Sequence, residues 1–197
     1  METAGRLGHL TCEQQSAFEQ FKIILSAQGA YDPAKHDDHL LLRFLRARKF
    51  VLNDASKMWL EREKWANEYG VDELLASFDF PQWDQVRQHY PRFYHKQDKF
   101  GRPIYIEHVG SLNVKKLLEV TDIDSLIKQF VYEYEKLLKY RFPACSAAAN
   151  VYIEQTCSIF DLQGVALSEF PSVFNTIQRV SVIAQVRFLS LKLELLS

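Results

Sequence analysis

Cysteine is scarce in this chain: three residues in 197, at positions 12, 145 and 157, none of them in a CxxC pair. Spacing that wide argues against a disulfide framework and a zinc cluster, and favours the cytosol as compartment. No apolar run approaches the roughly 20 residues that a membrane span requires. Met1 to Arg6 carry an acid and no apolar stretch, so no secretory leader is expected; Glu2 stands where myristoylation needs glycine, and no CaaX box closes the chain. Charge of one sign is also missing. The formal net charge is -1, which offers no general attraction to nucleic acid or anionic membrane, so no nucleic-acid partner is expected and any anion site must be local. The chain lacks GxSxG, HExxH, a Walker phosphate loop and a dinucleotide glycine fingerprint. An enzyme is therefore not expected, nor a metal or a cofactor. His36-Asp37-Asp38-His39 reads as a capped helix start rather than a ligand set, and Cys157 as an inert buried thiol.

Apolar residues make up 47% of the chain, enough for one substantial core or a small helical domain leading into a second. Their spacing predicts helices over 12–28 (Phe18, Phe21, Ile24, Leu25, with Gly29 at the C-cap), over about 37–49 (Leu41, Leu42, Leu45) and from Asn53, as N-cap, to Gly70. Three such helices form a small bundle. Beyond about Ser77 the pattern changes. Trp83 to Tyr90 predicts a short helix, and Pro91–His95 and Pro103–His108 predict two strands around a turn at 96–101, the second an edge strand because it contains proline. Thr121 to Tyr140 carries the cleanest helical stripe, with Pro143 just past its end; Val151–Phe160 predicts a strand, and 168–185 a further helix. Strands alternating with helices imply an α/β sheet.

Two groups of residues carry chemistry. Arg43, Arg46, Arg48 and Lys49 place four cations in seven residues at a helix end. That suits a bound phosphate, and it equally suits a solvated basic face completing the helix dipole. On the strand, the period of two puts Tyr152, Glu154, Thr156, Ser158 and Phe160 on one face. Two small hydroxyls pointing into an apolar cavity need partners, because each costs about 1–3 kcal/mol if left unsatisfied; a ligand phosphate or the backbone would both serve.

LLRFLRARKF at 41–50, FYHKQDKFGRPIYIEHVG at 93–110, YRFPACS at 140–146 and EQTCSIFDLQG at 154–164 follow one another in an order that resembles the CRAL-TRIO family, of the secretory-pathway phosphatidylinositol transfer type. The resemblance implies an α/β fold in which an N-terminal three-helix module (1–76) precedes a CRAL-TRIO lipid-binding domain whose first half is 77–185. It implies non-enzymatic transfer of phosphatidylinositol and phosphatidylcholine, with bound phospholipid as ligand, transient peripheral contact with membranes, and a cytoplasmic place at Golgi and endosomal membranes. Position by position, Arg48 and Lys49 match the basic pair for the inositol headgroup. Tyr134, Thr156 and Ser158 match the tyrosine and hydroxyls for the choline headgroup, and Tyr94 and Tyr105 match aromatics of the same pocket. Ser and Thr stand exchanged at the two hydroxyl positions, which keeps the hydrogen-bonding group.

The Leu-rich stretch 186–197 departs from the family pattern, with both strand and helix periods partly met. On this reading the domain is incomplete. An incomplete domain predicts an exposed sheet edge and self-association through it, and makes a fragment that serves as scaffold and holds no lipid the alternative.

Overall fold

The computed structural model describes residues 4–165, which divide between Tyr69 and Gly70 into two units. The readings of a helix over 168–185 and of the tail at 186–197 lie outside the described residues.

The first unit holds α1 (Cys12–Ala27), α2 (Asp38–Ala47) and α3 (Leu52–Tyr69). Thr11 opens α1 with a capping box: its hydroxyl accepts from the Gln14 N–H at 3.2 Å while the Gln14 side chain accepts from the Thr11 N–H at 3.1 Å. Asp37 caps α2 by accepting from the Leu40 N–H at 2.7 Å, the structural role expected for it. Phe18, Phe21 and Leu25 meet the buried Leu41, Leu42, Leu45 and Trp59 in one core. Gly29 follows α1 in the left-handed conformation.

Three local expectations are corrected. Asn53 lies inside α3 rather than at its cap, because the Ala55 N–H already bonds the Val51 carbonyl. The second helix stops at Ala47, two residues early. There the Phe50 N–H returns to the Leu45 carbonyl at 2.7 Å and the Lys49 N–H to Arg46 at 3.1 Å, a Schellman closure with Lys49 (φ 51°) and Phe50 (φ 62°) in the left-handed region. Nor do the four cations form one solvated face: Arg43 is 8% exposed, Arg46 donates to the Gly5 carbonyl at 3.2 Å, and of the four only Lys49 is exposed rather than buried or half-buried.

His36 is buried against Trp59, ring centroids 4.8 Å apart, and its Nδ1 accepts from the Asp32 N–H at 3.1 Å. Burial, the largest influence, holds its imidazole below the ordinary histidine range against the pull of Glu63, whose carboxylate lies 3.5 Å from Nε2. The unfolded chain then binds a proton more readily than the folded one, so stability is full above the unfolded value and drains as pH falls below about 6.5, levelling off under the depressed folded value. Urea midpoints between about pH 7.5 and 5.5 should therefore fall more for the wild type than for His36→Gln; parallel slopes would remove His36 as a cause.

The second unit runs α4 (Val71–Ser77), α5 (Trp83–His89), β1 (Arg92–Gln97), β2 (Pro103–His108), α6 (Val114–Val120), α7 (Ile123–Lys136), α8 (Phe142–Ala149) and β3 (Cys157–Asp161). The strands stand in the order β1-β2-β3, the first pair antiparallel and the second parallel, with α6 to α8 as the crossover that a parallel pair requires. The fold is mixed α/β, as the sequence implies. β2 is central among the described strands rather than at an edge; Pro103 is tolerated because it is the first residue, where the missing N–H interrupts no ladder. Asp98 organises the hairpin. Burial alone would raise its pKa, but the Arg102 and Phe100 N–H groups and the Arg102 guanidinium hold the carboxyl below its usual range. Gly101 (φ 80°) is required there, since a Cβ would come 2.7 Å from that of Ala149.

Two longer elements also differ from expectation. The strand at 151–160 is shorter: only Cys157 to Asp161 pair, with Ile104 to His108, and the Ile153 N–H bonds Ser146 Oγ at 2.8 Å instead. β3 is an outer strand among those described. The long helix does not end before Pro143. It widens into a π turn at Leu137–Arg141 and continues as α8, with Pro143 in the first turn, where a missing N–H costs little.

Candidate functional site

Strand periodicity and register build one face of the second unit. Tyr94 faces Tyr105 across β1 and β2, and Tyr105 faces Ser158 across β2 and β3, so the three form a row over the whole described sheet. Arg92 lies two residues before Tyr94, and Thr156 two before Ser158, on the same face. Above this face runs α7, presenting Gln129, Phe130, Glu133 and Tyr134, and from the π turn come Leu137 and Arg141. Trp83 and Arg87 of α5 complete the walls of a cavity of about 340 Å³.

The cavity mixes apolar and aromatic walls with donors. The Tyr94 and Tyr105 rings lie 5.1 Å apart, and the Arg141 guanidinium sits 4.3 Å over the Tyr94 ring. Arg141 is fixed there by Glu133, to whose Oε2 it donates at 2.8 Å. Burial pushes the phenols of Tyr94 and Tyr105 above their ordinary range, although Arg141 pulls the former down. Both hydroxyls therefore stay protonated near neutral pH and can donate. Arg92 Nη2 donates to Gln129 Oε1 at 2.7 Å, with its guanidinium 4.7 Å over the Tyr90 ring.

Of the residues expected at a headgroup site, Tyr94, Tyr105, Tyr134, Thr156 and Ser158 line this one cavity. Arg48 and Lys49 are not among its described lining; they belong to the first unit, at the Schellman closure after α2. The sequence reading missed Arg92, Gln129, Glu133 and Arg141 as lining residues. Period two from Tyr94 reaches Arg92, and the YRFPACS stretch contains Arg141, so a signal was present for both. Cys157, between the two hydroxyl residues, is half-buried rather than buried. Among the described residues no group of three or more His, Cys, Asp or Glu side chains could hold a metal, and no helix is long and apolar enough to cross a membrane.

The family described as CRAL/TRIO, N-terminal domain matches residues 17–61, and the CRAL/TRIO domain family matches residues 87–191. The chain belongs to the CRAL-TRIO family. Among curated CRAL-TRIO relatives, the Sec14 cytosolic factor of Schizosaccharomyces pombe is 42% identical over 92% of this chain and 63% of its own length. The SEC14 cytosolic factor of Yarrowia lipolytica is 40% identical over 92% of this chain and 36% of its own. The phosphatidylinositol/phosphatidylcholine transfer protein SFH7 of Arabidopsis thaliana is 50% identical over 70% of this chain and 25% of its own. The chain thus spans under two thirds of the length of these relatives. The family match reaches residue 191, into the Leu-rich stretch that the motifs set apart.

Proposed function

We propose that this chain binds a single phospholipid, phosphatidylcholine or phosphatidylinositol, and carries it between membranes without covalent chemistry. The observation that carries the reading is the Tyr94–Tyr105–Ser158 row, with Thr156 beside it and Tyr134 opposite, around one cavity. Hydroxyl donors at a half-apolar cavity suit a phosphate diester, and the neighbouring Tyr94 and Tyr105 rings, 5.1 Å apart and tilted by 50°, suit the trimethylammonium group of choline. At about 340 Å³ the cavity is at the small end of ligand sites, on the scale of a headgroup. Arg48 and Lys49 are proposed as a separate contact for the inositol-lipid headgroup. Relatives named as phosphatidylinositol/phosphatidylcholine transfer proteins and as cytosolic factors support this reading of the ligand; transient membrane contact in secretory traffic at the Golgi is proposed along with it.

The test is native mass spectrometry of the purified chain, followed by extraction of what it holds. One phospholipid per chain, exchanged into acceptor vesicles on incubation, is the expected result. A folded chain at its bare mass, after incubation with phosphatidylcholine vesicles, would overturn the reading in favour of a scaffold that holds no lipid.

A further inference from the structure

We propose that Arg92 is an anion-binding residue of the cavity and biases it toward phospholipids of net negative charge. The inference rests on the headgroup reading of the cavity. Arg92 is 9% exposed, lines the cavity and issues from the same sheet face as Tyr94. Its direct partners are neutral: the Gln129 amide oxygen at 2.7 Å, the Tyr90 hydroxyl and ring (4.7 Å to the centroid) and the Trp83 ring at 5.9 Å, while the Glu107 carboxylate, opposite Arg92 in the strand register, is reached only through Tyr90. The contrast with Arg141 is chemical, because Arg141 has the Glu133 carboxylate at 2.8 Å. Among the described residues Arg92 takes part in no ion pair, and the Glu107 carboxylate across the strand pair accepts the Tyr90 hydroxyl.

A buried guanidinium held by neutral groups is costly unless an anion completes it. Gln129, the Tyr90 hydroxyl and the two rings fix its plane, and of its five N–H donors two are accounted for by Gln129 and Tyr90. A planar, pre-oriented fork matches two oxygens of a phosphate or carboxylate. The register sets Arg92 in line with Glu107 and Phe160, so Ser158 lies two strands across and two residues along from it, roughly 12 Å at the usual strand spacing and rise, and Thr156 lies farther. A headgroup spanning that distance meets neutral hydroxyls at one end and a cation at the other. A zwitterionic headgroup brings its own cation toward Arg92 and is repelled, whereas the phosphomonoester of phosphatidic acid carries no cation and is attracted to Arg92 by its net negative charge.

The full chain is incubated with vesicles of equimolar phosphatidylcholine and phosphatidic acid, and the bound lipid is extracted and quantified. The wild type should favour phosphatidic acid, and Arg92→Gln should lower the bound ratio of phosphatidic acid to phosphatidylcholine about tenfold. Arg92→Met, apolar and of similar length, decides the matter if the glutamine variant loses its far-UV signal. An unchanged ratio in a folded variant overturns the inference alone; a wild type that takes up neither lipid overturns the headgroup reading and this inference with it. A parallel arm with inorganic phosphate separates the sources of the anion. No Arg92-dependent rise in melting temperature is expected there, and a clear one would overturn the assignment to a lipid.

Discussion

Replacing Trp59 by alanine is expected to cost the helical unit about 3–5 kcal/mol, the range for removing a buried aromatic side chain. Trp59 is 0% exposed and meets three elements at once. Its ring lies edge-on to Phe44 at 4.8 Å and to Phe21 at 6.3 Å, and its indole N–H donates to the Ala30 carbonyl at 2.7 Å. Alanine removes both packing and hydrogen bond, whereas Trp59→Phe keeps most of the apolar volume and strands the Ala30 carbonyl, a penalty of about 1–3 kcal/mol. Urea unfolding of the full chain, followed by far-UV circular dichroism, separates the two contributions. A small loss for alanine would mean that the Phe18–Leu45 core closes without the indole. Equal losses for alanine and phenylalanine would place the energy in the hydrogen bond rather than in packing.

The same unit shows what could be read from sequence. The first helix is legible from Phe18, Phe21 and Leu25, which keep the helical period, and from Gly29 at its end; the Thr11–Gln14 capping box that opens it was not read, although its residue types signal one. The second helix was overread by two residues for a complementary reason: its closure uses Lys49 and Phe50 in a conformation that glycine usually supplies. Of the three seven-residue helices α5 is expected from the sequence and α4 and α6 are not, since two turns give a period too little room to show reliably. The strand at 151–160 was overread because β-branched content says nothing of the partner. β2 offers only Ile104 to His108 for pairing after Pro103, so the ladder with β3 is five residues long whatever the sequence before Cys157 prefers. At the cavity, alternation correctly put Thr156 and Ser158 on one face. Arg92 obeyed the same alternation, yet an arginine beside a turn reads as solvated; its burial depends on Trp83, Tyr90 and Gln129, brought in from outside the strand.

If a ligand phosphate sits between Thr156 and Ser158, the pair Thr156→Val, Ser158→Ala should weaken phospholipid retention by far more than either change to the fold. Valine keeps the shape of threonine and alanine most of that of serine, so what is removed is two O–H donors. A hydrogen bond to a charged acceptor is worth about 1.5–3 kcal/mol, so two give about 3–6 kcal/mol, or roughly a hundredfold to ten-thousandfold in affinity. Urea midpoints should move little, since both side chains are half-buried at the cavity wall. Equilibrium exchange of labelled phosphatidylcholine between the chain and vesicles gives the affinity, and the two single variants complete a double-mutant cycle. The residues lie on one face two positions apart and would share one phosphate, so coupling is expected, with the second change costing less than the first. Additive losses would mean that the hydroxyls serve different atoms of the ligand. A double variant within tenfold of the wild type would mean that the phosphate is not at this face of the sheet, and the headgroup would then have to be sought beside Arg141 and Tyr94 instead.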